Sequence, residues 1–124
     1  MNPQAIKFHK QSQTLELVYN NTSYHLSAEF LRVHSPSAEV RGHGPDQAVL
    51  QAGKQHVKIL KLEPQGNYAL RIHFDDGHDT GLYSWAFLHT LCGDQARLWQ
   101  TYLEQLNQAS LSRDPDTSAV KFIP

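Results

Sequence analysis

Cysteine is nearly missing from this chain: Cys92 is the single one, which excludes an intramolecular disulfide framework and any multi-cysteine zinc site within the sequence. A charge excess is missing as well. Lys and Arg number 11 against 12 Asp and Glu, for a net charge of −1 and a pI near 6.7, so the basic footprint of a nucleic-acid or anionic-membrane binder is lacking. No run approaches the roughly 18 apolar residues of a membrane span. The opening Met1-Asn2-Pro3-Gln4-Ala5-Ile6-Lys7 has no apolar signal core. A cytoplasmic protein is expected, with neither nucleic acid nor membrane among its partners. Dinucleotide-binding, phosphate-loop and Gly-x-Ser-x-Gly patterns are absent too. What is present is 124 residues, 40% of them apolar, enough for one small domain with a modest core. The unusual count is eight histidines.

Ile6 and Phe8, then Leu15, Leu17 and Tyr19, then Tyr24 and Leu26 follow the period-2 alternation of half-buried strands. The polar stretch Lys10–Gln13 and the pair Asn20-Asn21 separate them, and asparagine tolerates the positive φ of a tight hairpin turn. A three-stranded antiparallel meander over 5–26 is therefore expected, followed by a helical turn over 27–32 capped by Ser27. Residues 34–55, with two prolines and two glycines early on, read as a long loop, with helical turns from Asp46 to Ala52 ending at Gly53. A strand resumes at Val57, Ile59 and Leu60-Lys61-Leu62. Glu63-Pro64-Gln65-Gly66 predicts a type I turn, and the next strand places Tyr68, Leu70, Ile72 and Phe74 on one face. After the acidic turn 75–81, Ser84 caps a helix carrying Trp85, Leu88 and Cys92. A last helix near 94–107 aligns Trp99, Tyr102, Leu103 and Leu106 on one stripe. A strand–strand–short helix theme thus occurs loosely twice. From Ser110 the composition turns to Ser, Asp, Pro and Thr, so a mobile tail is expected over 110–124, after a single domain over 1–109.

Three constellations bear on chemistry. His73-Phe74-Asp75 has the His-x-Asp spacing of a two-histidine, one-carboxylate iron triad, but too little chain follows to complete the barrel that such a site needs. Asp75, Asp76, His78 and Asp79 gather three carboxylates and an imidazole within five residues. That spacing does not match a calcium loop, and the plain reading is a solvated turn whose Asp side chains cap backbone N–H groups. Cys92 falls on an apolar helix stripe, where burial keeps a thiol protonated and inert. Ser35, Ser37 and Ser84 lack an elbow motif, Gly42-His43-Gly44-Pro45 is too short to cradle a pyrophosphate, and the aromatics are not interleaved with Arg and Lys.

Leu31-Arg32-Val33-His34-Ser35-Pro36-Ser37-Ala38-Glu39-Val40-Arg41-Gly42-His43, Leu62-Glu63-Pro64-Gln65-Gly66-Asn67-Tyr68-Ala69-Leu70-Arg71 and Phe74-Asp75-Asp76-Gly77-His78-Asp79-Thr80-Gly81-Leu82-Tyr83-Ser84-Trp85 occur in that order. Together they resemble the N-terminal domain family of gamma-butyrobetaine hydroxylase over about 5–92. Members occur as short stand-alone bacterial chains, ahead of carnitine-pathway dioxygenase barrels, and fused to Mrp-type ATPases that carry iron–sulfur clusters. In the hydroxylases the domain holds zinc through three cysteines and a later histidine. The resemblance places those ligand positions on Ser35, Ser37, Val40 and His78. Serine is a poor zinc ligand and valine is none, so the family site is expected to be lost, leaving His78 as the single metal-ligand candidate, with His34 or His43 as further donors if the long loop folds over it. The resemblance also implies an accessory rather than catalytic role, since the iron and 2-oxoglutarate chemistry belongs to a barrel for which 124 residues leave no room.

The expected fold is α+β, with antiparallel hairpin-based sheets of five to six strands and two helices near the C-terminal end. The expected function is that of a non-enzymatic interaction domain whose surface for a protein partner includes Arg41, His43, Asp75, Asp76 and Asp79, with no catalytic residue and no cofactor. The alternative is a zinc- or iron-binding accessory protein linked to iron–sulfur assembly or to an oxygenase partner.

Overall fold

A computed structural model describes residues 2–42 and 47–116. Strands β1 (Ala5–His9), β2 (Thr14–Tyr19) and β3 (Thr22–Ser27) form one antiparallel sheet in chain order. Asn20 and Asn21 both take positive φ, 48° and 64°, which is the geometry of a type I′ hairpin between the paired Tyr19 and Thr22. Helix α1 (Ala28–Val33) follows at once, its first turn closed by Ser27 Oγ, which accepts from the Phe30 N–H at 3.0 Å. A short helix α2 (Ala38–Arg41) lies inside the expected loop, capped by Ser37.

The second sheet repeats the plan with β4 (Ile59–Gln65), β5 (Ala69–Phe74) and β6 (Leu82–Ser84), again antiparallel and in chain order. Ser84 then caps α3 (Trp85–Gly93) by accepting from the Phe87 N–H at 3.1 Å. The Ser-x-x-Phe-Leu pattern thus closes both sheets, at Ser27–Leu31 and at Ser84–Leu88. Helix α4 (Gln95–Gln108) completes the described elements.

Three local expectations are corrected. Residues 47–52 form no helix; they run across the molecule, with Val49 N–H donating to Val40 O and Tyr102 Oη donating to Gln51 O, contacts that displace the local bonds of a helical turn. The turn after β4 comes later than Glu63–Gly66. Pro64 lies within β4 opposite Leu70, tolerated because β4 is an edge strand whose free side needs no ladder donor there, and the chain reverses over Gly66-Asn67-Tyr68 with Gly66 at φ 53°. Tyr68 therefore belongs to the turn and is 56% exposed, not part of the buried face of β5.

Leu15 and Leu17 from β2, Leu26 from β3, Ile72 and Phe74 from β5, and Leu88 and Leu91 from α3 share one core with Phe30 and Leu31. Gln13 ties the two sheets at their margin: its carbonyl accepts from Ala28 N–H and its side-chain Oε1 from Ile59 N–H. A smaller cluster of Val33, Tyr102 and Leu106 seats α4 against α1, with Leu50, Ala52 and Leu111 packed on it. The packed body extends past residue 109. Gly53 N–H donates to Ser112 O, Gln55 N–H donates to Arg113 O, and the Arg113 guanidinium grips the buried Glu29 carboxylate through two bonds of 2.7 and 2.8 Å. Residues 110–116, the described part of the expected tail, thus make these contacts with the rest of the domain; 117–124 lie outside the described residues.

Candidate functional site

Helix α1 ends at His34 and delivers Ser35 and Ser37 to the far side of the turn that joins β5 to β6. Ser35 is fully buried and His78 nearly so, and Ser35 Oγ lies 2.8 Å from His78 Nε2. Ser37 N–H donates to Ser35 Oγ at 3.2 Å, and Ser37 Oγ meets Thr80 Oγ1 at 2.8 Å. Val40 is buried one helical turn on. Three of the four positions at which the resemblance puts metal ligands, Ser35, Ser37 and His78, are therefore gathered in one hydrogen-bonded network.

The donor chemistry at this spot does not fit zinc. The Ser35 hydroxyl accepts from Ser37 N–H and is free to donate to His78 Nε2, which caps the nitrogen a metal would need. The other ring nitrogen, Nδ1, faces the Glu39 carboxylate at 3.3 Å, so the network selects the Nδ1–H tautomer. Burial lowers the His78 pKa, and the nearby Arg32 guanidinium adds to this against the opposing pull of Glu39 and Asp76. A neutral imidazole with two hydroxyls and a valine offers no thiolate to balance a dication beside Arg32. His34 does not join in: its Nδ1 lies 2.8 Å from the Phe30 carbonyl and its ring packs against Phe30 and Tyr102. His43 lies outside the described residues.

The acidic turn is engaged within the chain. Asp75 Oδ1 accepts from Lys58 N–H at 3.0 Å, and Asp76 Oδ1 accepts from His78 N–H at 3.1 Å. Asp76 Oδ2 takes both Arg32 Nε at 2.8 Å and Lys54 Nζ at 2.6 Å. Burial raises the Asp76 pKa, but Lys54, the His78 N–H and Arg32 outweigh it and bring the carboxyl down to about 2. The Asp79 side chain is 46% exposed and lies 3.9 Å from Arg71 and from His73. His73 itself faces Glu63 at 3.1 Å and Asp75 turns to Lys58, so the His73-x-Asp75 pair does not converge. Cys92 is buried, and burial pushes its thiol up to about 11, leaving it unreactive at neutral pH.

Beside this network a groove of about 500 Å³ opens between α2 with the segment 48–51 and helices α3 and α4. Its floor is apolar, formed by Val33, Val40, Leu91 and Leu98, with the 54% exposed Val49 at its lip. Arg41 and Arg97 stand on the rim. The Arg41 guanidinium lies 4.7 Å over the Phe87 ring and has no carboxylate partner among the described residues, whereas Arg97 pairs with Asp94 at 3.1 Å. Of the described residues expected to form a partner surface, which are Arg41, Asp75, Asp76 and Asp79, Arg41 borders this groove. The groove was not legible in sequence because its walls come from four segments whose apolar residues each read as ordinary core.

Among the described residues no helix is long and apolar enough to cross a membrane. The gamma-butyrobetaine hydroxylase-like N-terminal family model matches residues 6–89. Two solution structures determined by NMR are similar to the chain: one is 54% identical, with 99% of this chain and 98% of the other covered at a TM-score of 0.83. The second is 46% identical, covering 99% and 93% at 0.76. A crystal structure of a DUF971-family protein of unknown function from Acidithiobacillus ferrooxidans is 32% identical, covering 73% of this chain and 91% of that one at 0.60. No curated protein matches.

Proposed function

The chain belongs to the gamma-butyrobetaine hydroxylase-like N-terminal domain family, and from that premise we propose that it is a non-catalytic interaction domain that holds an acidic, apolar segment of a partner protein in the groove beside α2. The observation that carries this reading is an apolar trough with a guanidinium on its rim that has no carboxylate partner among the described residues. Its floor gains by losing water to an aliphatic or aromatic side chain, and Arg41, already lying flat over Phe87, presents its N–H fork to a carboxylate. The inert Cys92 and the capped His78 supply neither nucleophile nor general base, which favours binding over catalysis. An iron- or zinc-linked role through His78 draws no support from a donor set of two hydroxyls and a valine.

Affinity capture from an extract of the native cell tests the reading, with wild type compared with Arg41→Glu, Val49→Asp and, as a control away from the groove, Asp79→Ala. Wild type and the Asp79 variant are expected to retain the same protein at least tenfold better than either groove variant. Equal retention by all four, or retention by none, would overturn it.

A further inference from the structure

Outside the site described above, three ligating side chains from three adjacent strands meet on the outer face of the first sheet. His9, Glu16 and His25 each offer one ligand atom, and these atoms all lie within 4.8 Å of one another. From this juxtaposition we infer that the outer face of the β1-β2-β3 sheet is a binding site for a borderline divalent transition ion of the zinc class, held by two imidazoles and one carboxylate.

Register produces the arrangement. Glu16 on the central strand stands opposite His25 on β3 and Lys7 on β1, and His9 is the diagonal neighbour of Glu16 on the same face. Leu15 and Leu17 point the other way into the core and hold β2 in place. The three side chains are thus set by a rigid ladder rather than by a loop. His25 is tied further at its carbonyl, which accepts from Gln95 Nε2 at the start of α4.

The geometry is within small rotations of coordination. His9 Nε2 lies 2.7 Å from Glu16 Oε1, and the His9 and His25 rings stack at 5.8 Å with planes 26° apart. An ion bonded at about 2.0–2.2 Å to each ligand in tetrahedral directions keeps the ligand atoms about 3.4 Å apart, so the His9–Glu16 contact opens by less than an ångström as the ion replaces the shared proton. Glu16 is only 13% exposed, so the two ring nitrogens meet a carboxylate partly shielded from water. The remaining coordination positions face water. Two imidazoles and one carboxylate select zinc, nickel or copper over magnesium and calcium, which prefer all-oxygen shells. Lys7 is the neighbouring cation across from Glu16 and works against binding, so it caps the affinity without blocking the face.

The test is a zinc titration of untagged, ¹⁵N-labelled protein at neutral pH, following imidazole nitrogens by NMR, with His25→Ala, Glu16→Gln and His56→Ala compared with wild type. Ring signals of His9 and His25 are expected to move together and saturate at one equivalent, and Mg²⁺ is expected to leave them in place. The apparent dissociation constant should rise at least tenfold in His25→Ala and in Glu16→Gln, both on the outer face where no core contact is lost, and stay unchanged in His56→Ala. Zinc that leaves His9 and His25 unmoved, or moves them with equal affinity in all variants, would refute the site. The outcome is independent of the groove, since neither Arg41 nor Val49 contributes to it.

Discussion

Single residues show how the turn between β5 and β6 is made rigid by charges that composition presents as a solvated cluster. Asp76 binds Arg32 and Lys54 with one oxygen and the His78 N–H with the other. Its carboxyl sits at about 2 when folded, below the ordinary value of about 3.9. The stability this contributes is present in full above the ordinary value and is lost as pH falls through the folded value, that is, between about pH 4 and 2. A shift of that size would be worth about 2.6 kcal/mol for a group shielded from water, and because Asp76 is an exposed residue, solvent screening brings its contribution to on the order of 1 kcal/mol. Asp76→Asn is therefore expected to lower stability by about that amount at pH 6 and to flatten the decline toward pH 2, as read from urea midpoints across that range. Gly81 shows the same precision of fit: a Cβ there would come within 2.5 Å of Ser35 Oγ, so the absent side chain is what lets the Ser35–His78 contact form. The Asp-x-His-x-Thr-Gly stretch marks this turn in sequence, but nothing in it names Arg32 or Lys54 as its partners.

Elements were the most legible scale, and the reason is local. Serine caps, an Asn-Asn turn and period-2 alternation act over a few residues, so β1 to β3, α1, α3 and α4 could be anticipated close to their observed positions. Where the expectation slipped, a distant contact outweighed the local preference: residues 47–52 gave up a helical turn to contacts with Val40 and Tyr102, and Pro64 stayed in an edge strand that needs no donor at that place. Ser84→Ala removes the acceptor of the Phe87 N–H in a nine-residue helix and should cost about 1 kcal/mol by urea denaturation. A loss near zero would mean that packing of Leu88 and Leu91 holds the helix without its cap.

For the whole molecule, the segment after α4 acts as a strap. Arg113 reaches back to Glu29 on α1, lies 5.1 Å over Trp99, and neighbours the backbone bonds to Gly53 and Gln55. Arg113→Ala leaves a 7% exposed carboxylate without its partner. Breaking a fully buried pair this way costs about 3–5 kcal/mol, and because Arg113 is 37% exposed a loss of about 2 kcal/mol is expected. Glu29→Gln combined with Arg113→Ala should recover part of it, measured by thermal and urea unfolding; a double variant no better than the single one would place the loss in packing on Trp99 instead. The order of strands, the caps and the lack of zinc thiolates all follow from residue types and short spacings, because turns, alternation and ligand chemistry are properties of neighbours in the chain. The groove, the Asp76 network, the Arg113 strap and the His9-Glu16-His25 face depend on residues far apart in sequence. They came into view only when packing of the two sheets against α1, α3 and α4 set those side chains at contact distance, since no short-range pattern encodes which distant charge or apolar wall a residue will meet.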